Sequence, residues 1–484
     1  MTLNDKYQVV IGLEVHTQLQ THSKLFCGDP AFFGAPPNTQ VSPVSLAHPG
    51  TLPVLNKKVI EFATMLGIAL HCNIERHNYF ARKNYFYPDL PKGYQVSQHT
   101  APVCKGGYVT ILTQAGEKRI QLNRIHIEED AGKSIHDIGD DYTSIDLNRA
   151  GMPLLEIVTE PCIHSAEEAY IYLTTLRKMV RWLGICDGNM EEGSMRCDAN
   201  ISIRPVADTR LGTRVEVKNL NSIRNVKRAI EVETVRLIAL VENNLPVIQE
   251  TRSYDADTNK TFAMRNKEEA DDYRYFPEPD LPVINISEKF ISEINGLMPA
   301  LPAEVQAKII SAFMLSEYDA AQICSDKADA DFYLELVTKT DHYKAAANWL
   351  IGPVKSYCNE HGISPGEFPL PATTIAVLIE LAENGTISFH NASEKLLHAL
   401  IKYPAKNPTE MAAELNLFQD SDMESIESLV NNVLASLPGK VKEFRNGKKG
   451  LIGMFAGEVK KLSKGKADML IVNKLLTEKL NNPT

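Results

Sequence analysis

The chain has 484 residues, 44% hydrophobic and 23% charged, with a formal net charge of −10, which suggests about three globular domains with a sizeable core. No apolar stretch approaches the ~18–20 residues of a membrane span, and residues 1–6 lack the basic end and apolar run of a secretion signal, so a cytoplasmic location without membrane contact is expected. The eight cysteines form no C-x-x-C pair, which argues against a disulfide scaffold, a thioredoxin-like couple and a four-cysteine zinc site.

Residues 1–290 read as β-rich with interspersed helices. Tyr7–Gln18 alternates with period two: Val9, Ile11, Leu13 and Val15 share one face, and Gly12, Glu14, His16 and Gln18 the other. Further strands are predicted at 107–113, 119–129, 144–147, 200–205 and 214–217. Their hairpin-like spacing favours a mixed or antiparallel sheet over a doubly wound parallel one. A helix is predicted from Ser165, whose hydroxyl caps free amides while Glu168 reaches back. Its apolar stripe is Leu173, Leu176, Val180 and Leu183, and Gly184 suits a left-handed C-terminus. A second helix begins near Ser222, with Ile223, Val226, Ile230, Leu237 and Val241 on one face. Prolines at 277, 279 and 282 interrupt regular structure, and 404–408 makes a second break. Short helices such as 304–313 and 373–383 lie between, and 409–484 reads as helices joined by a turn at 445–450.

Charged residues in apolar surroundings carry the chemical information. Glu14 and His16 project from one strand face, where a carboxylate beside an imidazole suits a divalent cation; a plain polar strand face is the competing reading. In Glu128-Glu129-Asp130, Glu129 shares a face with Ile125 and Ile127 and needs a cation or donor to stay ionised. Glu156 and Asp198 also sit among apolar residues. Together these acids and one histidine fit a hard-cation site. Asp130-Ala131-Gly132-Lys133-Ser134 resembles the end of a phosphate loop, but Ile127 stands where the first glycine is required, so a P-loop is rejected. No G-x-G-x-x-G follows a predicted strand. Residues 82–94 mix cations with aromatics, which suits phosphate neutralisation and adenine stacking; a surface loop with aromatic anchors is the competing reading. Arg149 and Arg196 are further candidate clamps.

Charge is unevenly distributed. Residues 439–484 carry eleven Lys and Arg against four acids, a balance of +7 that leaves −17 for the rest. A basic end on an acidic body suggests a polyanion partner for the end and metal or catalytic roles for some acids; a solvated lysine-rich helix face is the competing reading of the end.

The run Ile145-Asp146-Leu147-Asn148-Arg149-Ala150-Gly151-Met152-Pro153-Leu154-Leu155-Glu156-Ile157 resembles the signature of the family of aspartyl/glutamyl-tRNA amidotransferase B subunits. So do residues 10–16, 82–93, 126–134, 191–200 and 271–280, and in the tail 444–448 and 465–467. The resemblance implies an α+β chain in three parts: a catalytic cradle resembling glutamine synthetase at 1–295, an all-α domain at 296–405 and a YqeY-like basic tail at 406–484. It implies ATP and Mg²⁺ as cofactors, with phosphorylation of the side-chain carboxylate of Asp-tRNA(Asn) or Glu-tRNA(Gln), followed by amidation. By resemblance, Glu14, His16, Glu129, Glu156 and Asp198 are metal-site positions, the first three also catalytic. Lys83, Tyr87, Lys92, Arg149 and Arg196 are assigned to ATP or the phosphoryl intermediate. Arg445, Lys448, Lys449, Lys464 and Lys466 are assigned to the tRNA backbone.

No recognisable glutaminase nucleophile stands in this chain, so ammonia is expected from a partner; the resemblance implies an amidase (glutaminase) A subunit, with a small C subunit holding the two together in a heterotrimer. Many relatives carry a four-cysteine zinc cluster in the segment equivalent to 26–46. Here Cys27 stands with Asp29, Ser42 and Ser45, so no zinc is expected, and the loop is expected to hold its shape by packing of Phe32, Phe33 and its prolines. Two other classes remain open from residues alone. A non-catalytic tRNA adaptor would bind tRNA without Mg²⁺-dependent ATP turnover, and a metallohydrolase would act without ATP.

Overall fold

Strand β1, Tyr7–Gln18, runs the full length of the first alternating segment, and its odd-numbered Ile11, Leu13 and Val15 are completely buried. The computed structural model describes residues 6–136, 141–266, 273–419, 423–463 and 466–481. It divides into two compact units, Met1–Leu301 and Pro302–Thr484.

In the first unit β1 is followed by α1 (Lys57–Ala69), β2 (Ala81–Asn84), β3 (Tyr94–Ser97), β4 (Tyr108–Thr113), β5 (Gly116–Glu129), β6 (Pro153–Thr159) and α2 (Ala166–Trp182). Next come β7 (Met195–Pro205), β8 (Val215–Lys218), α3 (Ile223–Glu242), β9 (Glu250–Asp255), β10 (Lys260–Asn266) and β11 (Phe276–Pro277). The main sheet runs β10-β9-β8-β7-β1-β6-β5-β3-β2-β11, with β4 joined to β5 as a hairpin. The β8–β9 pair is parallel, whereas β1 is antiparallel to both neighbours. The sheet is mixed, as the hairpin-like spacing predicts.

Helix α2 begins where expected. Ser165 Oγ accepts from Glu168 N at 3.0 Å, and Glu168 Oε2 accepts from His164 N, one residue before the cap. Gly184 closes the segment at φ +66°. Leu173, Leu176 and Val180 of α2 join Val226, Ile230 and Leu237 of α3 in the core beneath β1. Burial of each large side chain contributes roughly 1.5–3 kcal/mol. This fixes the helices to the odd-numbered face of β1 and leaves Glu14 and His16 on the other.

The second unit is helical, starting at Pro302–Phe313, whose proline stands in the first turn, where its missing N–H is harmless. Its last helices, Met423–Ser436, Pro438–Arg445, Ile452–Leu462 and Met469–Asn481, enclose Ile426, Val430, Phe455, Val472 and Leu476. Among the described residues no helix is long and apolar enough to cross a membrane.

Candidate active site

Antiparallel register assembles the site. His16 stands opposite Glu156 of β6 and Arg196 of β7, Glu14 opposite Asp198, and Glu156 opposite His126 of β5. Side chains at these alternate positions project from one sheet face. They line an open cleft of about 580 Å³, walled on another side by Lys83, Tyr85, Tyr273 and Tyr275.

The first cluster joins His16, Glu128 and Glu156, each offering a ligand atom within 4.8 Å of the others. His16 Nε2 lies 3.4 Å from Glu128 Oε1 and 3.5 Å from Glu156 Oε2. His126 Nε2 approaches the same Glu156 oxygen at 3.0 Å. Burial opposes charge on His16, but the carboxylates of Glu156 and Glu128 outweigh it and hold its pKa well above the histidine range. The same balance pushes His126 up to about 9. Burial raises the carboxyl of Glu128, and the two imidazoles more than reverse this, bringing it down to about 2. The face is therefore held by mutual charge compensation.

The second cluster joins Glu14, Asp198 and Glu216 within the same span. Lys218 pairs with Asp198 and lies 3.3 Å from Glu216 Oε1. Asn200 Nδ2 donates to Glu14 Oε1 at 2.8 Å, while its Oδ1 is buried without a donor. One imidazole with five carboxylates is a donor set for Mg²⁺ or a similar hard cation. The orphaned Asn200 oxygen is an acceptor that the water of such a cation would meet.

Two expected site residues lie elsewhere. Glu129 is on the opposite face of β5 from Glu128, as its apolar row with Ile125 and Ile127 requires. Its Oε1 accepts from Val96 N at 2.8 Å and pairs with Lys92. Glu129 and Lys92 border a separate cavity of about 240 Å³, with Phe26 and Tyr94. The grouping of Glu129 with His16, and of Lys92 with Lys83, is thus corrected: Glu129 already has its cation, and period two keeps it out of the cleft.

The other candidates for phosphate contact border or approach the cleft. Lys83 Nζ is 4.7 Å from the Tyr273 ring centroid, and Tyr87 lines the cleft. Arg196 Nη1 donates to Asp130 Oδ2 at 2.7 Å. Arg149 is occupied by the 130–132 turn, donating to Ala131 O at 3.0 Å and Gly132 O at 2.7 Å. Gly132 is required for packing: a Cβ there would meet Asp89 O and Leu147 Cδ2 at 2.9 Å. This accounts for the glycine of the phosphate-loop look-alike.

Residues Cys27, Asp29, Ser42 and Ser45 do come together. Asp29 Oδ2 accepts from Ser42 N at 2.9 Å and from Ser45 Oγ, and Cys27 Sγ lies 3.5 Å from Ser45 Oγ. One thiol, one carboxylate and two hydroxyls do not fit structural zinc. Phe32 and Phe33, expected to pack the loop, are 61% and 68% exposed. Backbone donors hold the loop instead: Asn38 N to Asp146 Oδ1 at 3.0 Å, and Gln40 N to Asn148 Oδ1 at 2.8 Å.

In the tail, Arg445, Lys448 and Lys449 are exposed. Lys448 pairs with Glu443 at 3.0 Å, Lys449 donates to Asn481 Oδ1 at 3.0 Å, and Lys466 donates to Asn416 Oδ1 at 3.1 Å. Lys464 and Gly465, with Asp271 and Asp272 of the family-like motifs, lie outside the described residues.

Sequence reasoning passed over Glu128, His126, Glu216 and Lys218. The alternation Arg124, His126, Glu128 carries the first two. Glu216 and Lys218 enter only through the pairing of Ala199 with Val217, which nothing local announces.

Residues 9–292 match the family described as the GatB/GatE catalytic domain, and residues 331–480 match the family described as the GatB domain. The B subunit of the aspartyl/glutamyl-tRNA(Asn/Gln) amidotransferase of Thermodesulfovibrio yellowstonii is 46% identical over 97% of this chain and 98% of its own length. The proteins of the same name from Geobacter sulfurreducens and Paraburkholderia phytofirmans are each 48% identical over 98% of this chain and 99% of theirs. With these matches spanning nearly the whole length, the chain belongs to the family of aspartyl/glutamyl-tRNA(Asn/Gln) amidotransferase B subunits.

Proposed function

We propose that the cleft carries out the carboxylate-activating step of a glutamine-dependent tRNA amidotransferase, the enzyme whose B subunit this family provides. The side-chain carboxylate of Asp on tRNA(Asn), or of Glu on tRNA(Gln), attacks the γ-phosphorus of ATP. An O–P bond forms and ADP leaves. Ammonia then attacks the carbonyl carbon of the acyl phosphate, phosphate departs with the bonding electrons, and loss of a proton from nitrogen leaves the amide. Phosphorylation is needed because oxide is otherwise the leaving group.

The observation that carries this reading is the pair of carboxylate clusters on one sheet face, with Lys83, Arg196 and Lys218 beside them. His16, Glu128 and Glu156 would hold one Mg²⁺, and Glu14, Asp198 and Glu216 a second. Bound there, Mg²⁺ would supply positive charge against phosphate oxygens as negative charge develops. Lys83 and Arg196 align the anionic donor, while the tyrosine wall gives adenine or the acyl phosphate a partly dry surface. The acid-rich floor also favours neutral ammonia over an anionic competitor.

On this reading the first unit is a glutamine-synthetase-like cradle, and the second supplies a helical domain and a basic tail for the tRNA backbone. An amidase A subunit supplies ammonia, and with a small C subunit these chains make up a cytoplasmic heterotrimer. The test is ATP-dependent amidation of Asp-tRNA(Asn) and Glu-tRNA(Gln) by the assembled complex, with glutamine or ammonium as donor. Glu128→Gln should abolish both activities. If it lost only the glutamine-driven one, this cleft would not be the site of carboxylate activation.

A further inference from the structure

We propose that the unpaired 3′ end of the tRNA reaches the acids along one side of the first unit, its bases stacking on Phe32 and Phe33 and its preceding phosphates following a groove of arginines. The inference rests on the tRNA-amidotransferase reading above and adds the route that the aminoacylated end takes.

Phe32 and Phe33 are exposed on a loop that backbone hydrogen bonds already anchor. Two neighbouring aromatic rings that contribute little to folding form a preset stacking surface, and every base has a face to offer it. They border a cavity of about 560 Å³ that also contains Lys133, Arg149, Arg196 and Asp198. Arg196 and Asp198 line the acid-bearing cleft as well, so the two spaces meet along β7. A base stacked on the phenylalanines is thereby continuous with an ester delivered to the acids.

At its other side the cavity shares Glu191, Glu192 and Asn221 with a groove of about 930 Å³ lined by Arg177, Arg224 and Arg228. Arg224 and Arg228 are exposed one turn apart on α3, and among the described residues neither forms an ion pair. Arg177, from α2, packs over Gly188, where a Cβ would come within 2.7 Å of its Cγ, and its Nε is buried without a partner. The acids of the groove, Asp187, Glu191 and Glu192, come from the connecting loop rather than the helices. Guanidinium groups in a row, then stacking rings, then the reaction site are the features of a single-strand track.

The test uses the assembled complex in Mg²⁺ and compares binding of intact tRNA with tRNA lacking its last four nucleotides. Truncation should weaken wild-type binding by about tenfold. Phe32→Ala/Phe33→Ala should weaken binding of intact tRNA by a similar factor and become indifferent to truncation, and the double tyrosine variant should restore the difference. Arg224→Ala/Arg228→Ala should flatten the dependence of log affinity on log salt by about 2. For both variants KM for aminoacyl-tRNA should rise while kcat at saturation holds.

A phenylalanine variant that keeps the full truncation penalty overturns the proposal. So does one that sheds another chain of the complex, which would make the surface a protein contact. Because the readout is binding, the outcome is independent of whether Glu128→Gln abolishes amidation.

Discussion

His16 and Glu156 are direct partners across β1 and β6, with Nε2 3.5 Å from Oε2. The site is therefore a product of strand register. A slip of one residue in either strand would turn one side chain toward the core and the other toward the cleft. The same parity separates Glu128 from Glu129, which gives the first expectation. Glu128→Gln should lower amidation by about 10²-fold or more and weaken Mg²⁺ or Mn²⁺ binding measured by calorimetry. Glu129→Gln, on the Lys92 side of the sheet, should leave cation binding unchanged.

That contrast also shows how much the sequence discloses. The row Ile125, Ile127, Glu129 correctly places Glu129 on the apolar face and predicts that it needs a cation, which Lys92 supplies. The error lay in asking that face to hold the metal, when the polar row Arg124, His126, Glu128 points into the cleft. Residues brought in by β1 itself were legible because one strand fixes their parity. Glu216 and Lys218 were not, because their place depends on a non-local strand pairing. Lys92 was misplaced because the course of the loop from β2 to β3, rather than its mixture of cations and aromatics, decides which side it serves.

The core provides a check on the same period. Leu13 is fully buried beneath Glu14, in a layer shared with α2 and α3. Leu13→Ala should destabilise the chain by about 2–5 kcal/mol, read as a shift in the urea midpoint with an unchanged slope. A loss below about 1 kcal/mol would mean that this row is not the packed one.

Proton occupancy of the first cluster should appear in stability. His126, pushed up to about 9 by its carboxylate neighbours, is stabilised as imidazolium relative to an unfolded histidine near 6.5. That contribution is fully present below about pH 6.5 and is lost as pH rises through about 9. The melting temperature of the metal-free chain should therefore fall across this window. Added Mg²⁺ should offset the fall, because a cation held by His16, Glu128 and Glu156 requires neutral His16 and binds better as protons leave. In His126→Gln the fall should shrink to the part contributed by His16, which the same carboxylates also hold above the histidine range.

Lys218 stands where a second cation would draw on the same oxygens. Its ammonium pairs with Asp198 and approaches Glu216, so metal binding there has to compete with a built-in charge. Lys218→Met should raise Mg²⁺ affinity at the Glu14–Asp198–Glu216 cluster several-fold, yet lower amidation, since no ammonium remains there to face the phosphoryl group. Calorimetry in Mg²⁺ and single-turnover amidation separate the two effects. Weaker Mg²⁺ binding together with slower amidation would instead show that Lys218 organises the acids.

The tail, proposed to meet the tRNA backbone, should respond differently. Arg445 and Lys448 lie on either side of Gly447 at the turn after Pro438–Arg445, both exposed, with Lys448 held to Glu443 by a surface pair of small energetic weight. A phosphate can displace such a pair readily, and each contact made releases a condensed counterion. Arg445→Ala and Lys448→Ala should each reduce the salt slope of tRNA binding by about 1, and the double variant by about twice that. If the tail acts on the backbone rather than on the reacting end, the loss should be equal for tRNA with and without its last four nucleotides. kcat at saturating aminoacyl-tRNA should stay unchanged. A reduced kcat with an unaltered salt slope would assign these residues to packing between the chains of the complex instead of to the nucleic acid.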